Sequence, residues 1–159
     1  MDPRITLRPI GPDDMALLLR VYRSTREEEL AMVVDWTEEM KAAFVRQQFE
    51  AQHLWYQEHY QGATFDVILV DGAPAGRLYV HRRPDEIRLV DITFLPEFRG
   101  SGLGSSLLRD LLAEGEAAGK PVTIHVEIYN PAMRLYERLG FQPVEDRGPY
   151  RLMKWSPSE

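Results

Sequence analysis

The chain has 159 residues, 44% of them hydrophobic and 28% charged, which suits one compact domain over residues 1–159 with a core of its own. It contains no cysteine, which excludes disulfides, thiolate metal sites and a cysteine nucleophile. A net charge of −6 without a basic stripe argues against nucleic acid as a partner, and no apolar run approaches the roughly 20 residues of a membrane helix. The opening residues lack the basic-then-apolar pattern of a secretory signal, so a cytoplasmic location is expected. His53, His59, His81 and His125 show no ligand spacing, and no metal is expected.

Residues 5–9 read as a short opening strand, and Gly11-Pro12-Asp13-Asp14 as a turn that caps a helix. From 14 to about 26, Met15, Leu18, Leu19 and Tyr22 fall at helical spacing. A second helix is expected to start near Asp35, with Glu38 completing a capping box, and to run toward Tyr60 before Gly62. The period then becomes extended: 65–70, a turn at Asp71-Gly72 and 74–81 read as a hairpin, followed by a strand over 86–95. A helix over Leu103–Ala118, a strand over 122–128, a helix over 131–139 and strands over 142–146 and 151–155 complete the chain. This order predicts an α/β fold of the α+β type: a mixed central sheet of about six to seven strands flanked by about four helices. Open strand edges at the ends of such a sheet leave room for a homodimer. Acidic residues gather at Glu27-Glu28-Glu29, Asp35, Glu38 and Glu39, either as a rim attracting a cationic acceptor or as a solvated helix face.

The most informative stretch is Phe94 to Ser105, where a strand enters a turn with glycines at 100, 102 and 104 that opens an apolar-faced helix. The first amides of a helix have no internal partners, the helix dipole adds about half a positive charge there, and glycines let a ligand come close. Together these make an anion site suited to a pyrophosphate. The glycine spacing is wrong for a dinucleotide fingerprint, since position 105 is serine, and no lysine is present for a P-loop. One βα unit later, Asn130-Pro131 predicts a helix start, with Asn130 as N-cap, and Gly140-Phe141 predicts its close.

Both segments resemble the GNAT superfamily of N-acetyltransferases. Arg99-Gly100-Ser101-Gly102-Leu103-Gly104 is similar to its R/Q-x-x-G-x-G/A coenzyme loop, and Asn130 through Phe141 to its N…A-x-x-L-Y-E-x-x-G-F motif, with six residues from Asn130 to Tyr136 where many members have seven. The resemblance implies parallel strands around Ile92 and Val126 that splay apart to form the acetyl-CoA cleft. The acetyl-pantetheine arm would bond the backbone of Ile92, Thr93 and Phe94. The phosphates would rest on amides of Arg99, Gly100, Ser101, Gly102, Leu103, Gly104 and Ser105, with Asn130 also against the coenzyme. Acetyl-CoA is thus the implied acyl donor, and a primary amine of a small molecule or peptide the implied acceptor.

Amide formation needs a neutral amine, a polarised thioester and a proton for the departing thiolate. The resemblance places Tyr136 as the proton donor. For the base it leaves open His125, Asp91, Glu127, Glu86 and a water chain; an unperturbed imidazole pKa near ~6.5 suits His125 to that task. Arg99 and Arg134 stand within reach of phosphates or at the surface, and the first two helices offer Tyr22, Trp36, Trp55 and Tyr56 for acceptor selection. A coenzyme-binding module without turnover is the alternative reading.

Overall fold

The computed structural model describes residues 2–159. Strand β1 (Ile5–Pro9) leads through a 3-10 turn at Pro12–Asp14 into α1 (Met15–Ser24), α2 (Glu27–Met32) and α3 (Glu38–His59). The helix expected to run as far as residue 26 ends at Ser24, and a separate α2 follows it. Ser24 and Thr25 explain the break: their hydroxyls bond the carbonyls of Val21 and Tyr22, both at 2.6 Å, competing with the helical ladder at its last turn. The expected start of α3 at Asp35 also moves, because Thr37 is the cap and accepts from the Met40 amide at 3.1 Å.

After α3 come β2 (Thr64–Val70), β3 (Ala73–Arg82), β4 (Ile87–Phe94), a 3-10 turn at Pro96–Phe98, α4 (Leu103–Ala118), β5 (Val122–Glu127), α5 (Met133–Arg138), β6 (Gln142–Arg147) and β7 (Tyr150–Trp155). The strands form one mixed sheet in the order β1-β2-β3-β4-β5-β7-β6, with only β4 and β5 parallel. The predicted sheet of about six to seven strands is thus present with seven among the described residues, flanked there by five helices where about four were expected. Leu103, Leu107, Leu108 and Leu111 of α4 bury against Ile87, Leu89, Val122 and Ile124, forming the larger core on one face. On the other face Leu18, Tyr22, Leu30, Val45 and Phe49 tie α1, α2 and α3 together.

Gly76 of β3 lies opposite Phe94 where β4 ends. A Cβ there would be driven into the Thr93 carbonyl and crowd the Phe94 Cα, both of them backbone atoms. Gly76→Ala is expected to destabilise the fold by about 1–3 kcal/mol, the usual cost of overpacking, as a lowered midpoint in urea unfolding.

Candidate active site

The parallel pairing of β4 with β5 covers three residue pairs, Ile87↔Val122, Arg88↔Thr123 and Leu89↔Ile124, and then stops. At that point β4 carries one extra residue: against β3, Val80 pairs with Leu89 and Tyr79 with Asp91, so Val90 is left over as a β-bulge. A bulge bends its strand. Beyond it β4 and β5 diverge around a cavity of about 170 Å³, lined by Asp91 and Ile92 on one wall and by His125 and Glu127 on the other. The splayed strands expected from the sequence are present.

Strand geometry decides which backbone groups face this wedge. Leu95 N–H donates to Ala75 O at 2.8 Å, and the register continues from there as Arg77↔Thr93 and Tyr79↔Asp91. Alternation in an antiparallel ladder therefore turns Thr93 and Asp91 toward β3, and Ile92 and Phe94 toward the cleft. Of the three backbones expected to bond a pantetheine arm, Thr93 is corrected: β3 already holds it, and its hydroxyl bonds Asp91 at 2.7 Å.

The glycine turn is built as an anion cradle. Gly100 and Gly102 take positive φ, 77° and 80°, and deliver the chain into α4. The amides of Gly100, Ser101, Gly102, Leu103, Gly104 and Ser105 have no acceptor among the described residues, and the ladder resumes with Ser106 N to Gly102 O. Arg99 departs from expectation. Its amide donates to Pro96 O, its Nε to Phe94 O at 2.8 Å and its Nη2 to Ser24 Oγ at 3.0 Å, so the side chain locks the turn onto β4 and α1 instead of facing the cradle.

Asn130 is not an N-cap. Its Oδ1 accepts from Ala132 N at 2.8 Å, forming a side-chain turn, and α5 begins only at Met133. At the other end Gly140 takes φ +100°, and the amides of Gly140 and Phe141 return to the carbonyls of Glu137 and Tyr136, the expected glycine close. Phe141 then packs edge-on against Tyr136 at 5.6 Å. Tyr136 is 4% exposed, lines the cleft, and its hydroxyl has no hydrogen-bond partner among the described residues. Burial, reinforced by the charge of Asp91, raises its pKa well above the ordinary tyrosine value, so it stays protonated.

The proposed bases are not equal. Asp91 accepts from Arg77 Nη2 at 2.8 Å, from Tyr56 OH at 3.1 Å and from Thr93 Oγ1, so a buried cation and two hydroxyls already occupy it. His125 has Arg88 Nη1 3.2 Å from its Nδ1. An arginine N–H only donates, so Nδ1 accepts and the ring proton sits on Nε2. Glu86 is tied to Arg83, Arg88 and Thr123 at the paired end of the strands. Glu127 lines the cleft, and its carboxylate has one ion-pair partner among the described residues, Arg26 at 3.6 Å.

Comparison with known proteins agrees with this geometry. A model of the acetyltransferase (GNAT) family matches residues 29–141. The chain belongs to the GNAT family. It is 32% identical over 104 residues to a Bacillus subtilis protein whose name gives it, provisionally, as an alanine N-acetyltransferase of ribosomal protein bS18, covering 58% of this chain and 68% of that one. Against the mycothiol acetyltransferase of Nocardiopsis dassonvillei it is 38% identical over 89 residues, 55% of this chain but only 22% of that protein. The fold is shared with the PaiA N-acetyltransferase of Thermoplasma acidophilum, solved in complex with coenzyme A: TM-score 0.70, 18% identity, covering 98% and 99% of the two chains.

In this GNAT chain, the aromatics expected to select the acceptor divide by helix phase. Tyr22 and Tyr56 line the cleft, with Gln52 one turn before Tyr56 on the same face of α3. Trp55 points outward, 47% exposed and stacked on His59, and Trp36 packs against Phe44. Arg26, Arg77 and Tyr150 also line the cleft and were not singled out from the sequence. Arg77 carried a faint signal, a cation inside an otherwise apolar strand, and is 2% exposed.

Desolvation on the cleft wall, then the cations of Arg88 and Arg147, lower the His125 pKa below 6.5. With the folded value below the unfolded one, the unfolded chain binds more protons in that window, so His125 weakens the fold as pH falls below about 6.5. An NMR titration should place the His125 midpoint below the ordinary imidazole value, and Arg88→Met should raise it.

Proposed function

We propose that this acetyltransferase moves an acetyl group from acetyl-CoA directly to a primary amine of a small-molecule or peptide acceptor. The observation that carries this reading is a protonated Tyr136 hydroxyl, without a partner among the described residues, in the wedge between β4 and β5, the strand β4 leading on to a turn with six unengaged amides. The residues present fit the coenzyme. Gly100 to Ser105 offer successive N–H donors at the start of a 16-residue helix, suited to a pyrophosphate, and Ile92 and Phe94 offer strand-edge groups suited to amides. Acetyl-CoA supplies a thioester carbonyl to accept the amine and a thiolate to depart.

The chain's own residues then manage two protons. Glu127 accepts the proton that the amine gives up, directly or through one water. Asp91 and His125 are poorly placed for that task, Asp91 being neutralised by Arg77 and His125 having its free lone pair turned to Arg88. Tyr136 donates its proton to the departing sulfur, and the Asp91 charge nearby opposes any earlier loss of it. The carbon–nitrogen bond forms as the carbon–sulfur bond breaks, without a covalent enzyme intermediate, consistent with the absence of cysteine.

Titration calorimetry with acetyl-CoA and a thiol-release assay over an amine library test the whole reading: binding and release on some amine are expected, and no binding would overturn it. Tyr136→Phe should lower kcat about tenfold or more while leaving coenzyme affinity near wild type. Glu127→Gln should lower kcat by a similar factor, and a larger loss in His125→Gln would transfer the base's role to His125.

A further inference from the structure

Besides four tyrosines, five charged or titratable side chains line the cleft: Arg26, Arg77, Asp91, His125 and Glu127. Arg77 and Asp91 neutralise each other at 2.8 Å, and His125 is held neutral beside Arg88. That leaves Arg26, the residue that enters α2, facing Glu127, at the end of β5. Their approach of 3.6 Å is an ion pair without a hydrogen bond. Arg26 is held from behind, with Nε on the Tyr22 hydroxyl at 3.3 Å, Nη1 on Glu29 at 3.0 Å and its guanidinium carbon 5.4 Å from the centre of the Tyr22 ring. Its Nη2 has no acceptor among the described residues, and the Glu127 carboxylate accepts no hydrogen bond among them. The cleft thus presents one cation and one anion from opposite walls, each with hydrogen-bonding capacity in reserve.

From this we infer that the acceptor is zwitterionic: a free amino acid or a close analogue, whose ammonium takes Glu127 and whose adjacent carboxylate takes Arg26. The inference rests on the reading of the cleft as an amine acetylation site. A simple amine or polyamine would set its cation against Glu127 but bring no acceptor to the Arg26 Nη2, which Glu29 on the other side of the guanidinium leaves unbonded. A peptide N-terminus has the same defect, because its carboxylate has become an amide. The acidic residues of α2 and the start of α3 do not reverse the balance. Glu27, Glu28, Glu29 and Glu38 lie outside the lining, with Arg23 paired to Glu27 and Glu38 and Arg26 to Glu29. They form the solvated helix face that the sequence had offered as one of two readings. A carboxylate also suits an arginine fork in a way that a neutral carbonyl does not, since both of its oxygens accept and the bond is charge-assisted.

The test is a thiol-release assay with acetyl-CoA over the twenty amino acids, each beside its carboxamide, together with spermidine and the decarboxylated amines. The expected result is at least one free amino acid whose kcat/KM exceeds that of its carboxamide by about tenfold or more. In Arg26→Gln that ratio should collapse toward one, and in Arg26→Lys part of it should survive, which a merely structural role for Arg26 would not produce. Carboxamides, spermidine or decarboxylated amines turned over as well as the acids would overturn the inference while leaving the acetylation site intact, as would an undiminished ratio in Arg26→Gln. Release from none of the compounds, combined with no coenzyme binding, would instead overturn the reading of the cleft on which it depends.

Discussion

One extra residue in β4 governs the rest of the molecule. Val90 has no partner on β3, and its insertion reverses the side-chain parity of the strand. Before it, Leu89 points into the core beneath α4; after it, Asp91 points to the opposite face, toward Arg77 and α3. Without the bulge, Asp91 would be buried in a hydrocarbon core and Ile92 would face the acceptor side. The same kink ends the pairing with β5 and leaves the Ile92 and Phe94 edge free on the cleft side. Cleft, donor edge and acceptor wall therefore share a single geometric cause.

The acceptor wall also depends on an ion pair that would be costly alone. Arg77 is almost wholly buried, and taking a guanidinium out of water costs several kcal/mol before any pairing. Asp91 at 2.8 Å offsets much of that, and Gln52 Oε1 at 2.9 Å and Tyr56 OH draw α3 into the network. The pairing is incomplete: Arg77 Nε and Nη1, His53 Nδ1 and Tyr79 OH are buried without protein partners. Unsatisfied groups of this kind are tolerated where surrounding packing over-determines the geometry, and here Tyr56, Phe65 and the Tyr79 ring pack around the pair.

Long periodic segments were legible in the sequence. The apolar face of α4, the hairpin of β2 and β3, and the glycine turn lie where spacing put them, because each is decided by neighbours within a turn or a strand. The misread features depend on partners distant along the chain or on competition between local bonds. Asp91 stood among the candidate bases because nothing local reveals that Arg77 reaches it diagonally from the adjoining strand. Arg99 looked like a phosphate ligand because nothing local reveals that Ser24, 75 residues earlier, accepts its guanidinium. The bulge left no trace either, since Ile87 through Asp91 reads as an uninterrupted strand. On α3 a shift of one position separates Tyr56 in the cleft from Trp55 in solvent, finer than composition can resolve.

The two halves of the cleft are written in different materials. The anion cradle and strand edge consist of main-chain amides, which almost any sequence presents once the backbone path is kept. The acceptor wall consists of side chains from α1, the α1–α2 junction, α3, β3, β4, β5 and β7. Drift by point substitution therefore acts on one half only: changes at Arg26, Tyr22 or Tyr150 can redraw the acceptor pocket while the cradle stays as it is. A fold divided in this way can acquire new acceptors without first having to re-learn its donor.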